Sequence, residues 1–205
     1  MASLAAQKEL IRSEALKRRR SLPARDALSQ DICREVLELA EYRSAVTVIV
    51  YMGVRSEVQT TPLIEEALAD GKRVAVPYCA GEQLALFHLR SLAELVPGEY
   101  RIPEPLAELR TSARAVALAD VDLVVVPGVA FDRRGARLGF GRGYFDRLLS
   151  QLPRPAPRVG LAFGCQLFEV IPTEAHDEPL DAIVTEHGAI WTGARAGSPC
   201  RMPDP

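Results

Sequence analysis

No apolar run in the chain is long enough to span a bilayer. The first twenty residues, MASLAAQKELIRSEALKRRR, lack the apolar core of a signal peptide. Their alanines and arginines have some transit-peptide character, but Glu9 and Glu14 count against it. Charge of one sign is also missing. A net charge of -2 gives nothing global to draw the protein to a polyanion, so neither nucleic acid nor a membrane is an expected partner. Cysteine is scarce: Cys33, Cys79, Cys165 and Cys200 lie far apart with no C-x-x-C pair. That argues against a zinc site or a dense disulfide scaffold and favours a reducing cytosol. There is no repeat with a period of some 20 to 50 residues and no low-complexity linker dividing the 205 residues. The expectation is a soluble, cytoplasmic monomer with one domain over residues 1–192, a disordered tail over 193–205, and a small-molecule substrate.

What the chain does have is concentrated in residues 122–149, DLVVVPGVAFDRRGARLGFGRGYFDRLL. A strand-like apolar run is stopped by Pro127 and Gly128, and a charged loop follows. Gly139, Gly141 and Gly143 then alternate with Phe140 and Arg142, and helical spacing returns through Tyr144, Phe145, Leu148 and Leu149. Strand, glycine turn, helix N-terminus and neighbouring arginines together suit a phosphate. The spacing matches neither of the best-known phosphate loops: no Gly-Lys-Ser/Thr follows, and the glycines fall as G-x-G-x-G rather than G-x-G-x-x-G. Taken alone they are equally compatible with a flexible turn before a helix.

The full run from Pro127 to Asp146, Pro-Gly-x-x-Phe-Asp-x-x-Gly-x-Arg-Leu-Gly-x-Gly-x-Gly-Tyr-x-Asp, strongly resembles the signature of the 5-formyltetrahydrofolate cyclo-ligase family, also called methenyltetrahydrofolate synthetases. The resemblance extends from Lys8 to Glu186, strong at 127–146 and weak around 78–120, where Arg101 replaces a usual glycine.

The other elements follow from periodicity. Residues 4–20 read as a helix with a stripe through Leu4, Ile11, Ala15 and Leu16, and Lys8 and Arg12 share one face of it. Residues 17–20 read as a solvated basic cluster. A second helix carries Leu28, Ile32, Val36 and Leu39. AVTVIVYM at 45–52 is a strand buried on both faces, and its C-terminal end leads to Glu57, which the residues alone leave as an exposed loop carboxylate. Thr61-Pro62 starts a helix that Gly71 ends. Strands follow near 73, 84, 122, 158 and 181; His88 is structural, and His176 beside Asp177 belongs to a surface loop. The fold class expected is α/β: a three-layer, Rossmann-like arrangement around a mostly parallel sheet.

The family resemblance implies conversion of 5-formyltetrahydrofolate to 5,10-methenyltetrahydrofolate with ATP and Mg2+. It implies that ATP meets Lys8, Arg12, Arg137, Leu138, Gly139, Phe140, Gly141, Arg142, Gly143, Tyr144 and Phe145. The folate would meet Met52, Glu57 and Phe140 to Tyr144, and magnesium Asp146 and Asp177. Arg137 and Arg142, flanking the glycines, would be catalytic. Two rival readings stay open: a non-catalytic folate- or nucleotide-binding protein on this fold, and a sugar-phosphate isomerase-like enzyme. In the latter, Lys8, Arg12, Asp146 and Asp177 have no task.

Overall fold

The computed structural model describes residues 3–98, 102–153 and 156–193. The position of Arg101 and the tail from 194 onward, with Cys200, lie outside them. The chain starts with helix α1 (Leu4–Ser21), followed by α2 (Arg25–Glu38) and the short α3 (Ala40–Ser44). Strand β1 (Thr47–Ile49), helix α4 (Thr61–Ala69) and strand β2 (Arg73–Ala80) form the expected β-α-β unit. β3 (Gln83–Leu89) turns back antiparallel on β2, and an arm of β4 (Leu95–Pro97) with β5 (Pro103–Pro105) follows. Next come β6 (Leu123–Val126), β7 (Ala130–Asp132), β8 (Arg137–Leu138) and helix α5 (Tyr144–Gln151). The chain closes through β9 (Arg158–Leu161), β10 (Leu167–Phe168), β11 (Ala182–Thr185) and β12 (Gly188–Trp191).

The central sheet has the order β12-β11-β9-β6-β1-β2-β3. Its five inner strands are parallel and its two edges antiparallel. The apolar runs follow from this: with both faces covered, alternate residues enter two different cores. Val48, Val74, Val125 and Val159 pack with Ile32, Val36, Leu63 and Ile64 of α2 and α4. Ile49, Ala75, Val124, Val126 and Ile183 pack with Leu148 and Leu149 of α5 on the other side. Each fully buried valine, leucine or isoleucine among them contributes about 1.5–3 kcal/mol. The three-layer expectation is met.

Two local differences from the sequence reading shape the site. The run expected as a strand over 45–52 pairs as a ladder only at 47–49; the Val50 N–H still bonds the Ala75 carbonyl, and beyond it the chain leaves the sheet and carries Tyr51 and Met52 toward the loop after β1. The N-cap of α4 is Thr60 rather than Thr61. Its hydroxyl makes no cap bond; it donates to the Tyr51 carbonyl and accepts the Gly53 N–H, closing that loop on itself. In the signature, Asp132 is fully buried and structural. It accepts the N–H groups of Arg134, Ala136 and Ile171 and so fixes the β7–β8 turn.

Candidate functional site

At the C-terminal ends of β6, β1 and β2 lies a cleft of about 510 Å³, where open parallel sheets characteristically present ligand sites. All of Lys8, Arg12, Met52, Glu57, the stretch from Arg137 to Asp146, and Asp177 line it. Residues 169 apart in sequence are thus brought together: Lys8 Nζ donates to Asp177 Oδ2 at 2.7 Å and to Glu174 Oε2 at 2.8 Å. Burial opposes the Lys8 charge, but its two carboxylate partners outweigh it and raise the ammonium pKa. Burial likewise pushes Asp177 up, and the hydrogen bonds from Lys8 and from the Glu174 N–H overcome it, leaving the carboxyl below its ordinary value.

Arg12 pins α1 to the glycine turn, its Nε donating to the Gly139 carbonyl at 2.9 Å. Gly141 (φ 94°) and Gly143 (φ 65°) hold left-handed backbone that an L side chain rarely adopts. Gly143 is the N-cap of α5 and supplies no side chain to cap it, so the first-turn N–H groups stay available to an anion. Phe140 at the tip of the turn is 58% exposed. Arg137 comes from β8 and is almost wholly buried; its guanidinium donates to Asp146 Oδ1 at 2.6 Å and to the Pro127 carbonyl at 3.3 Å. Its Nε is a buried donor without a partner and sealed from solvent, a costly arrangement.

Glu57 is not the exposed loop carboxylate that its residue type suggests; it is 8% exposed. Burial raises its pKa, opposed by the Val54 N–H and by the charges of Arg19 and Arg55. Arg19 corrects the reading of residues 17–20 as a solvated cluster. It is 2% exposed, with Nε donating to Ser56 Oγ at 3.0 Å and a terminal nitrogen to the Gly128 carbonyl at 3.2 Å. The signal was present: Lys8, Arg12, Ala15 and Arg19 follow 4-3-4 spacing, one continuous helix face. His176 stands on an exposed turn, as expected, and that turn also borders the cleft. Sequence reasoning missed the far wall, made of Tyr78, Cys79 and Leu84 from the β2–β3 hairpin and Ile102 and Glu104 from the arm. His88 lies outside the cleft lining, as expected of a structural residue.

Among the described residues no group of three or more metal-ligating side chains forms a closed cage. Asp146 and Asp177 nonetheless fit magnesium, which takes one or two carboxylates and completes its shell with water and phosphate oxygens. Each commits one oxygen to an ion pair, Oδ1 of Asp146 and Oδ2 of Asp177.

The chain matches the family model described as the 5-formyltetrahydrofolate cyclo-ligase family over residues 4–186. It is 37% identical over 184 residues to the 5-formyltetrahydrofolate cyclo-ligase of Escherichia coli (strain K12), covering 85% of this chain and 97% of that one. The NMR structure of Aquifex aeolicus 5,10-methenyltetrahydrofolate synthetase is 34% identical and superposes with a TM-score of 0.80, covering 95% of this chain and 97% of that one. A 5,10-methenyltetrahydrofolate synthetase from Mycoplasma pneumoniae, at 23% identity, shares the fold with a TM-score of 0.69 over 87% of this chain and 98% of that one. This chain belongs to the 5-formyltetrahydrofolate cyclo-ligase family.

Proposed function

We propose that the protein closes 5-formyltetrahydrofolate to 5,10-methenyltetrahydrofolate while ATP becomes ADP and phosphate. The observation that supports this most is the meeting of Lys8, Arg12, Arg137, the glycine turn and two carboxylates in one cleft. A formamide carbonyl is a poor electrophile and its oxygen a poor leaving group. Transfer of the γ-phosphoryl group to that oxygen gives an imidate-type phosphate and ADP; N10 then attacks the carbon and releases its proton to solvent, and phosphate leaves with the former formyl oxygen.

In this reading the residues place charge and align groups rather than form covalent bonds. Lys8, Arg12, Arg137 and Arg142 hold phosphate oxygens, and the N–H groups of the turn from Leu138 to Phe145 surround them. Arg137 and Arg142 stabilise the charge that develops during transfer. Asp146 and Asp177 hold magnesium, which when bound draws charge from the phosphate oxygens. Met52, Glu57 and the ring of Tyr144 receive the folate beside the turn. The activity is assigned to the cytoplasm, consistent with the free thiols of Cys33 and Cys165.

Mixing the purified protein with 5-formyltetrahydrofolate, ATP and magnesium tests the proposal by absorbance of the methenyl product. The band grows only when both ATP and magnesium are present. Folate binding by calorimetry without any band would overturn the reaction in favour of a non-catalytic binder, and failure to bind either ligand would return attention to a phosphate-sugar substrate.

A further inference from the structure

The cleft lining combines cations and glycine N–H groups with an apolar set, Pro77, Tyr78, Leu84 and Ile102, and Glu104 lies two residues beyond Ile102 on the arm. Glu104 is 7% exposed and sits on β5, opposite Val96 of β4. Its Oε2 is 3.1 Å from an Arg110 nitrogen, and the same guanidinium lies 4.8 Å from the centre of the Tyr78 ring. Among the described residues Oε1 has no hydrogen-bond partner, and it is not sealed from solvent, so it remains open to a donor. Water can hydrate that oxygen in the free protein, and a positioned ligand donor would replace the water with a charge-assisted hydrogen bond.

We propose that Glu104 is a recognition residue for the amino edge of a planar heterocycle, its free oxygen accepting an exocyclic N–H while apolar side chains cover the ring. This rests on the functional reading above, which brings two such edges to the cleft: the 6-amino group of adenine, and the 2-amino group with the adjoining ring N–H of the pterin. Glu57, the other buried carboxylate of the lining, lies on the loop after β1, whereas Glu104 comes from the arm beyond β3, so each can hold a different ring. A donor from the ligand to a charged acceptor is worth about ten- to a hundredfold in affinity.

Calorimetric binding of ATP, inosine triphosphate and 5-formyltetrahydrofolate to the wild type and to E104Q decides the matter without requiring turnover. An adenine edge predicts that E104Q weakens ATP about tenfold or more, leaves the folate unchanged, and removes the preference for ATP over inosine triphosphate, whose 6-oxo group offers no amino donor. A pterin edge predicts the reverse, weakened folate and unchanged ATP. Both affinities within twofold of wild type would overturn the proposal, as would a wild type that binds neither heterocycle. A wild type that binds both but makes no methenyl product would sink the reaction and leave this comparison intact. Should E104Q fail to fold, E104D keeps a negative charge near Arg110 while withdrawing the oxygen from the cleft, and the same comparison applies.

Discussion

Replacing Arg19 with methionine probes the least expected feature of α1. Methionine retains much of the apolar stem, so what is lost is the guanidinium: the bond to Ser56 Oγ, the bond to the Gly128 carbonyl, and a positive charge near buried Glu57. The Gly128 carbonyl still accepts from Gln166 Nε2 at 3.1 Å, so it is not orphaned. Ser56 and Glu57 bear the loss. One hydrogen bond from a charged donor is worth about 1.5–3 kcal/mol, and stripping a buried carboxylate of its neighbouring cation adds to that. Since Glu57 is not in direct contact with Arg19, the lower part of the range for broken buried pairs applies, and R19M should cost about 2–4 kcal/mol. Arg18 is the control. Its side chain is 44% exposed, pairs with Glu14 one turn away and lies 4.7 Å from the centre of the Phe168 ring, so R18M should cost about 1 kcal/mol or less. Urea denaturation of both variants measures the difference, with unchanged slopes required before the midpoints are compared. A cost for R19M no larger than that for R18M would refute the reasoning and restore the solvated basic cluster.

Asp146→Ala should abolish turnover and also destabilise by about 3 kcal/mol, because it strands the buried Arg137 guanidinium; a fully stable variant in thermal unfolding would show that Arg137 finds another partner. The stability difference between wild type and Lys8→Met should be flat from about pH 5 to 9. It should shrink as acid titrates Asp177, whose folded pKa is depressed below 3.8, and again as alkali passes the folded pKa of Lys8, raised above 10.5. Denaturant midpoints across that range check both limbs. Gly53→Ala places a Cβ 2.2 Å from the Val58 carbonyl oxygen, so the loop carrying Glu57 must shift; loss of folate affinity together with about 2 kcal/mol of stability is expected in calorimetry and denaturation. Thr192→stop should cost about 1–2 kcal/mol, since Thr192 bonds the Leu180 carbonyl through its hydroxyl and the Asp181 carbonyl through its N–H.

The sheet was readable because strands buried on both faces must be apolar almost throughout, and β1, β6 and β11 carry that pattern openly. The glycine turn was readable for a different reason: left-handed backbone at Gly141 and Gly143 restricts the residue type. Periodicity could not reach the stretch from 107 to 120, where three short 3-10 turns replace any repeating face. Nor could it assign Arg19 or Glu104. A charged residue is buried only when distant partners compensate it, and those partners, Gly128 for Arg19 and the cleft itself for Glu104, are not its neighbours in sequence. Local signals rank such residues as solvated until the partners are placed.

The pairing of Lys8 with Asp177, across 169 positions, also has a temporal side. During synthesis from the N-terminus, α1 leaves the ribosome long before Asp177 exists, and Arg12 waits for Gly139. Neither contact can guide early collapse, because the intervening loop must close before either bond forms. The nascent chain therefore carries a cationic helix face without its distant partners through most of its synthesis. A chain interrupted before residue 177 lacks the Lys8–Asp177 contact although β1, β2, β3, β6 and β9 of the central sheet have already been made.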